Sequence, residues 1–185
     1  MEYINVRGLD KPVPKLIFGT AWFSLDAEEE AHKMMDLYVE RGGNMIDTGR
    51  YYGKGNGIAK SEEILDRWLR NTKVKREDIM ISDKCCNCLI DRKGRLHEEF
   101  VRVSPTFIQE DLMYSLDRVG VDYFDLYLIH RDDPHVPVEA LMDKMEELRI
   151  AGYFKAFGVS SWQPSRVAEA IAYCKRMNYR GPSVS

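Results

Sequence analysis

Short apolar runs alternate along the chain with longer stretches in which apolar residues recur at helical spacing. The strand-length runs are mostly apolar throughout, a pattern typical of parallel strands that are buried on both faces. Strict alternation of strands and helices predicts a parallel sheet covered by helices, built either as a barrel or as an open doubly wound sheet. The predicted strands are residues 16–20, 44–48, 79–84, 124–130 and 156–160, and a sixth is expected to begin near residue 182.

Helix-end signals accompany the apolar stripes. Asp26, followed three residues later by Glu29, predicts a capping box at the start of the first helix. Ser104 before Pro105 predicts the N-cap and first residue of another helix, which Gly120 ends. The remaining helices are predicted to begin near Ser61, Pro137 and Pro164.

Composition and charge narrow the class of protein. The chain has 185 residues, of which 44% are hydrophobic and 31% charged, as in ordinary globular domains. A net charge of −3 without long basic runs argues against binding to nucleic acid or to an anionic membrane. No apolar stretch approaches the ~18 residues of a membrane span, and we expect no signal peptide because the N-terminus lacks its pattern. The default location is therefore a reducing cytoplasm.

Polar side chains follow four of the predicted strands at the point where each strand ends. Asp47 ends the second, Lys84 the third and His130 the fourth, and Ser160 and Ser161 end the fifth. Taken singly, such a residue is more often a solvated cap or a surface ion pair than a catalytic group. In (β/α) barrels, however, the active site lies at the C-terminal ends of the strands. The joint pattern therefore favours a catalytic rim.

Five motifs in this order resemble the aldo-keto reductase family. They are the segments 44–53 (NMIDTGRYYG), 61–65 (SEEIL), 81–84 (ISDK), 125–130 (DLYLIH) and 158–162 (GVSSW). The resemblance implies a (β/α)₈ TIM barrel, of which about five to six βα units are present, with an N-terminal β-hairpin from residues 2–6 and 11–14. It further implies that residues 1–185 are a single barrel domain that is incomplete at its C-terminus.

The resemblance implies a catalytic tetrad of Asp47, Tyr52, Lys84 and His130. A carbonyl that accepts hydride develops negative charge on its oxygen and needs a proton donor beside it. A phenol has an unperturbed pKa of ~10, and a neighbouring ammonium favours the phenolate. Asp47 would hold the lysine, and His130 would donate to the substrate oxygen and orient it. Tyr51 is an adjacent alternative for the acid, which the spacing from Asp47 disfavours.

The implied cofactor is NADP, as NADPH, and NAD stays open because the sequence holds nothing that corresponds to the family's adenosine-binding strands. Gly19 and Thr20 resemble the backbone segment beside the nicotinamide ring, which Asp47 also borders. Ser160 and Ser161 match the positions that hold the carboxamide, although the family usually has asparagine at the second. Trp22, Tyr52 and His130 would line the pocket for a small-molecule carbonyl substrate, with a core position for Trp22 as a near-equal alternative.

Three further features leave alternatives open. Cys85, Cys86 and Cys88 directly follow Lys84, but their spacing matches zinc sites poorly, so pocket-lining or redox-sensitive thiols are favoured over a metal site. Residues 89–103 resemble a substrate loop. A cofactor-binding regulatory subunit, like those that accompany ion channels, or a truncated pseudoenzyme are the alternative functions. The sequence indicates neither the natural substrate nor the oligomeric state.

Overall fold

A parallel five-stranded sheet with helices packed against it forms the centre of the computed structural model, which describes residues 1–54, 59–90 and 95–185. The strands are β1 (Tyr3–Ile4), β2 (Val13–Pro14), β3 (Phe18–Gly19), β4 (Met45–Asp47), β5 (Met80–Cys85), β6 (Cys88–Ile90), β7 (Leu96–Val101), β8 (Phe124–Ile129) and β9 (Phe154–Val159). The helices are α1 (Glu28–Glu40), α2 (Lys60–Asn71), α3 (Pro105–Val119), α4 (Val138–Ile150) and α5 (Pro164–Met177). None of the helices in these ranges is long and apolar enough to cross a membrane.

The order of the strands in the sheet distinguishes between the two predicted architectures. The order is β3-β4-β5-β8-β9, and all neighbours are parallel. A doubly wound sheet reverses its order at a switch point, whereas a barrel wall adds each strand beside the previous one. The structure is therefore a segment of a barrel wall. Val184 forms an isolated parallel bridge with Gly158, which places the predicted sixth strand beside β9.

The two faces of the sheet belong to separate hydrophobic clusters. In β8, Tyr127 and Ile129 join the larger cluster, which contains buried residues from all five helices. Leu126 and Leu128 join a smaller cluster that includes Val13 of the N-terminal hairpin. β1 and β2 pair antiparallel, which confirms the predicted hairpin. The helices thus cover the outer face, and the hairpin covers the inner face near the start of the strands.

One predicted helix cap is present and the other is wrong. Ser104 Oγ accepts a hydrogen bond from the backbone N–H of Phe107 at 3.1 Å, and α3 begins at the next residue, Pro105. Asp26, by contrast, lies inside a 3₁₀ turn, and α1 begins two residues later after Ala27, which makes no side-chain cap. The extra turn arises because Ser24 accepts a hydrogen bond from Ala27 N at 3.0 Å and so tightens the chain before the helix.

The predicted substrate loop at residues 89–103 contains regular structure. β6 and β7 pair antiparallel, with a register shift between Cys88 and Leu89. Residues 91–94 of that prediction lie outside the described residues. The hairpin was missed because charged residues interrupt the alternation of β7, so its sequence reads as a polar loop.

Candidate active site

The candidate catalytic residues lie together at the C-terminal ends of neighbouring strands. Asp47 is the last residue of β4, Lys84 is the next-to-last residue of β5, and His130 directly follows β8. Because these strands are adjacent and parallel, their ends meet at one edge of the sheet. Tyr52 reaches the same place from the turn after β4, where its N–H donates to Gly49 O at 2.8 Å. The structure therefore brings the predicted tetrad together.

A partly buried ion pair with Asp47 fixes Lys84. Its Nζ lies 2.5 Å from each carboxylate oxygen of Asp47 and 3.0 Å from the carbonyl oxygen of Thr48. An ammonium has three N–H donors, and these three acceptors use all of them. The Lys84 Nζ also lies 4.5 Å from the centroid of the Tyr52 ring. Its charge therefore reaches the phenol across the ring face.

His130 packs against the edge of Tyr52. The two ring centroids are 5.6 Å apart and the rings are inclined at 80°. Burial, with the positive charges of Lys84 and Arg131, lowers the pKa of His130 from 6.5 to about 4. The imidazole is therefore neutral near pH 7 and presents one N–H donor and one acceptor.

The lowered pKa of His130 predicts how the unfolding free energy of the protein depends on pH. Because the unfolded chain protonates this histidine first, its contribution to the unfolding free energy is present above pH 6.5 and is lost as the pH falls towards about 4. We expect His130→Asn to reduce the loss of stability over this interval by up to ~3 kcal/mol. Denaturant unfolding at several pH values measures this, with exposed His135→Asn as control. Identical pH dependence in wild type and His130→Asn would contradict the prediction.

Tyr51, the alternative acid, faces a different environment. Its hydroxyl oxygen accepts a hydrogen bond from Arg102 Nη1. Burial, followed by the charge of Asp111, raises the pKa of Tyr51 to about 12 despite the opposing guanidinium charges. A hydroxyl that is held in this way is poorly suited to donate a proton near neutrality.

A buried carboxylate that the sequence analysis missed anchors the loop carrying the tyrosines. Asp111 on α3 is fully buried and accepts hydrogen bonds from Arg50 Nη1, from both terminal nitrogens of Arg102 at 3.3 Å, and from Cys86 N at 2.9 Å. It thereby joins the turn after β4, the end of the β6–β7 hairpin and the backbone after β5. The available signal was a carboxylate beside Leu112 on the apolar stripe of α3.

The predicted nicotinamide segment is partly occupied by internal contacts. Thr20 is buried, and its hydroxyl donates a hydrogen bond to the carbonyl oxygen of Asp47 at 3.2 Å. The same Oγ1 lies 3.0 Å from Thr48 Oγ1. Its side chain therefore positions the end of β4 and is not presented to a ligand. Gly19 has an open face, because a Cβ there would meet no atom within 4 Å. The segment thus leaves the backbone at Gly19 accessible and presents no free hydroxyl.

Ser160 and Ser161 lie at the rim of the inner groove. This groove has a volume of about 640 Å³ and also includes Asp47 in its lining. Ser161 has φ 58°, in the left-handed region. Asparagine adopts this region more readily than serine, so the backbone conformation matches the usual residue of the resembled family better than the one present.

Trp22 and the cysteine cluster differ in exposure. Trp22 is 78% exposed, and the centroid of its ring lies 5.2 Å from Lys54 Nζ, so the core alternative for this residue is wrong.

Cys85, Cys86 and Cys88 are all buried, and burial raises the pKa of Cys85 well above its usual value. Such a thiol has little reactive thiolate. No group of three or more potential metal ligands occurs among the described residues.

Comparisons with known proteins find similar sequences and a similar solved structure. A sequence model of the aldo/keto reductase family matches residues 15–184. The chain is 33% identical over 168 residues to aldo-keto reductase YhdN of Bacillus subtilis (strain 168), covering 88% of the chain and 47% of that protein. The glycerol dehydrogenase AKR11B4 from Gluconobacter oxydans superposes with a TM-score of 0.77 at 23% identity, covering 94% of the chain and 51% of that structure. This last likeness shows the barrel fold.

Two further relatives differ from each other in their described roles. The NADH-specific methylglyoxal reductase of Escherichia coli (strain K12) is 29% identical over 171 residues, covering 84% of the chain and 48% of that protein. The probable voltage-gated potassium channel subunit beta of Arabidopsis thaliana is 28% identical over 187 residues, covering 100% of the chain and 54% of that protein. The chain spans about half the length of the curated relatives that it matches.

Proposed function

Because the chain belongs to the aldo/keto reductase family, we propose that it supplies the catalytic rim of an oxidoreductase that interconverts aldehydes or ketones and alcohols with NAD(P)H. The observation that carries this proposal is the Lys84 ammonium, held by Asp47 at 2.5 Å and placed over the Tyr52 ring. His130 completes the group from the next strand.

The rim has features that fit a flat ring bearing an amide. Gly19 leaves an open face beside the end of β4, and Ser160 and Ser161 line the groove that Asp47 also lines. We propose that these serines hold the carboxamide and that the backbone of Gly19 and Thr20, with Asp47, borders the ring. The bound nicotinamide would supply or accept the hydride. NADP is the proposed cofactor; the NADH-specific relative makes NAD the alternative to test.

The side chains of the tetrad account for the proton that accompanies reduction. We propose that Tyr52 donates its phenolic proton to the carbonyl oxygen as negative charge develops there. The Lys84 ammonium stabilises the resulting phenolate, and Asp47 keeps that ammonium in place. Neutral His130 donates an N–H to the substrate oxygen and orients it. Trp22 extends the pocket at its exposed edge.

The surroundings of the site indicate the class of partner and compartment. A small-molecule carbonyl suits the polar side chains that meet at the rim, and the net charge of −3 disfavours nucleic acid as a partner. We further propose a cytoplasmic location, which the absence of disulfides among the described cysteines supports. The shared sheet supports treating residues 1–185 as one domain.

Turnover of simple carbonyls tests the proposed activity directly. The intact protein is incubated with NADPH or NADH and with a panel of aldehydes and ketones, and cofactor oxidation is followed by absorbance. Oxidation that depends on the carbonyl supports the proposal, and the ratio of kcat/KM for the two cofactors decides between NADP and NAD. An inactive protein in this assay contradicts it.

The similarity to a channel subunit across the whole chain favours one second function, a cofactor-binding regulatory subunit. Fluorescence titration with each cofactor distinguishes the two functions. Tight cofactor binding without turnover would indicate the regulatory role. If neither binding nor turnover occurs, both functions are contradicted and a pseudoenzyme remains.

A further inference from the structure

Two buried carboxyl groups face each other directly behind the active-site lysine. Glu62 on α2 and Asp83 on β5 are both completely buried, and their side chains are close enough to hydrogen-bond with each other. Among the described residues, no N–H or hydroxyl group donates a hydrogen bond to either carboxylate oxygen of Glu62 or to Asp83 Oδ2. Two ionised carboxylates in such a site would repel each other strongly. A proton between them removes the repulsion and satisfies the unpartnered oxygens.

The cations around this carboxyl pair are committed to other partners. Arg50 pairs with Asp111, Arg118 with Glu63 at 3.7 Å, and Lys84 with Asp47. The other polar groups that face the carboxyl pair are the hydroxyls of Ser115 on α3 and Tyr127 on β8. Among the described residues, no cation therefore forms an ion pair with Glu62 or Asp83.

Burial is the main influence on both carboxyl groups. It raises the pKa of Glu62 to about 7, although the nearby Ser115 and Asp83 side chains and two guanidinium charges oppose the shift. Burial and the charge of Glu62 raise the pKa of Asp83 well above its usual range. Near pH 7, the state in which the carboxyl pair holds one proton is therefore favoured over the state in which both groups are ionised.

The carboxyl pair connects the backbone next to two tetrad residues. Asp83 Oδ1 accepts a hydrogen bond from Lys84 N at 2.5 Å. Ser61, directly before Glu62, donates its N–H to Tyr52 O at 3.2 Å. A continuous path thus runs from Tyr52 through the start of α2, across the shared contact, and into β5 at Lys84.

We propose that Glu62 and Asp83 share one proton and act as a positioning unit that fixes Lys84 relative to Tyr52. Loss of the proton leaves two facing carboxylates, whose repulsion pushes α2 away from β5. The shared proton rests on the burial of both carboxyl groups and on their unpartnered oxygens, whereas its effect on turnover rests on the proposed reductase function.

Infrared spectroscopy of the intact protein detects the proton without any assay of activity. Wild type at neutral pH should show the carbonyl stretch of a protonated, buried carboxyl group. Glu62→Gln and Asp83→Asn should each remove that band, and Glu63→Gln, on the same helix but ion-paired at its surface, should retain it. A wild-type spectrum without the band, or a band that survives both substitutions, would overturn the shared proton.

The pH dependence of stability provides a second readout. Because the folded state holds the Glu62 proton more tightly than the unfolded state, the contribution of Glu62 to the unfolding free energy should fall as the pH rises from 4.5 to about 7, opposite in sign to the contribution of His130. In Glu62→Gln this fall should be absent, because an amide N–H replaces the shared proton at all pH values. An unchanged slope in this variant counts against the inference.

Kinetics separates positioning from mere structural support. Glu62→Leu leaves Asp83 without its partner, and we expect kcat to fall by up to about 100-fold, the scale of a misplacement of about 1 Å, with KM nearly constant. Glu62→Gln should recover most of that loss at neutral pH. Equal loss in both variants would overturn the positioning role. An inactive wild type that still shows the infrared band would refute the reductase function and leave the shared proton established.

Discussion

Replacing Tyr52 with phenylalanine is expected to lower kcat for carbonyl reduction by about 100- to 10,000-fold, the usual contribution of a positioned proton donor. The substitution removes only the hydroxyl. The ring keeps its edge contact with His130 at 5.6 Å and its face towards Lys84 at 4.5 Å, so the fold and cofactor affinity should stay close to wild type. Steady-state kinetics together with cofactor titration would show a fall in kcat at unchanged cofactor binding.

Tyr51→Phe is the matched control, because it removes a hydroxyl from the adjacent residue. That hydroxyl accepts from Arg102 and has a pKa raised to about 12, so its loss should affect stability more than turnover. The proposed mechanism would be wrong if Tyr52→Phe kept full activity. If Tyr51→Phe alone abolished turnover, the acid role would pass to Tyr51.

The positions of the strands could be predicted closely because burial on both faces leaves uninterrupted apolar runs. The run predicted at residues 124–130 became β8, Phe124–Ile129, with His130 immediately after it. The rim followed from the same signal, since polar residues that end apolar strands gather at one edge of a parallel sheet. The choice between a barrel wall and a doubly wound sheet required the strand order, which local patterns do not contain.

Errors in the prediction occurred where backbone pairing or tertiary contacts outweighed local patterns. Asp26 and Glu29 have the spacing of a capping box, yet the chain makes a 3₁₀ turn first and α1 begins at Glu28. The β6–β7 hairpin forms despite the charges that interrupt its alternation. In both places the residue types allowed more than one local structure, and backbone hydrogen bonds decided between them.

Buried charged groups were the least predictable part of the site. Asp111, Glu62 and Asp83 have residue types that are usually solvated, and nothing in their own segments indicates their partners. Their environment is created by four or more chain segments that meet behind the rim. Sequence motifs therefore predicted the polar groups that meet at the rim, and the structure was needed for the buried groups that hold them.

Asp111→Ala is expected to destabilise the fold by about 3–5 kcal/mol, the range for removing one partner of a buried ion pair. Asp111 is fully buried, while the side chains of its partners Arg50 and Arg102 are only 15% and 18% exposed. The substitution leaves two guanidinium groups without their carboxylate and Cys86 N–H without its acceptor. Because these contacts hold the turn that carries Tyr52, kcat should fall together with stability. Denaturant unfolding and kinetics on the same preparations would measure both.

The loss of stability in Asp111→Ala should come from the unpaired guanidinium charges, and a double variant can isolate that cause. Exposed Glu110→Ala on the same helix should change stability by less than about 0.5 kcal/mol, which controls for truncating an acidic side chain on α3. Replacing Arg102 with methionine in the Asp111→Ala background removes one unpaired cation and should restore part of the lost stability. If the second substitution instead added its full cost to the first, the guanidinium would contribute through packing, and the network would not be held together by the Asp111 charge.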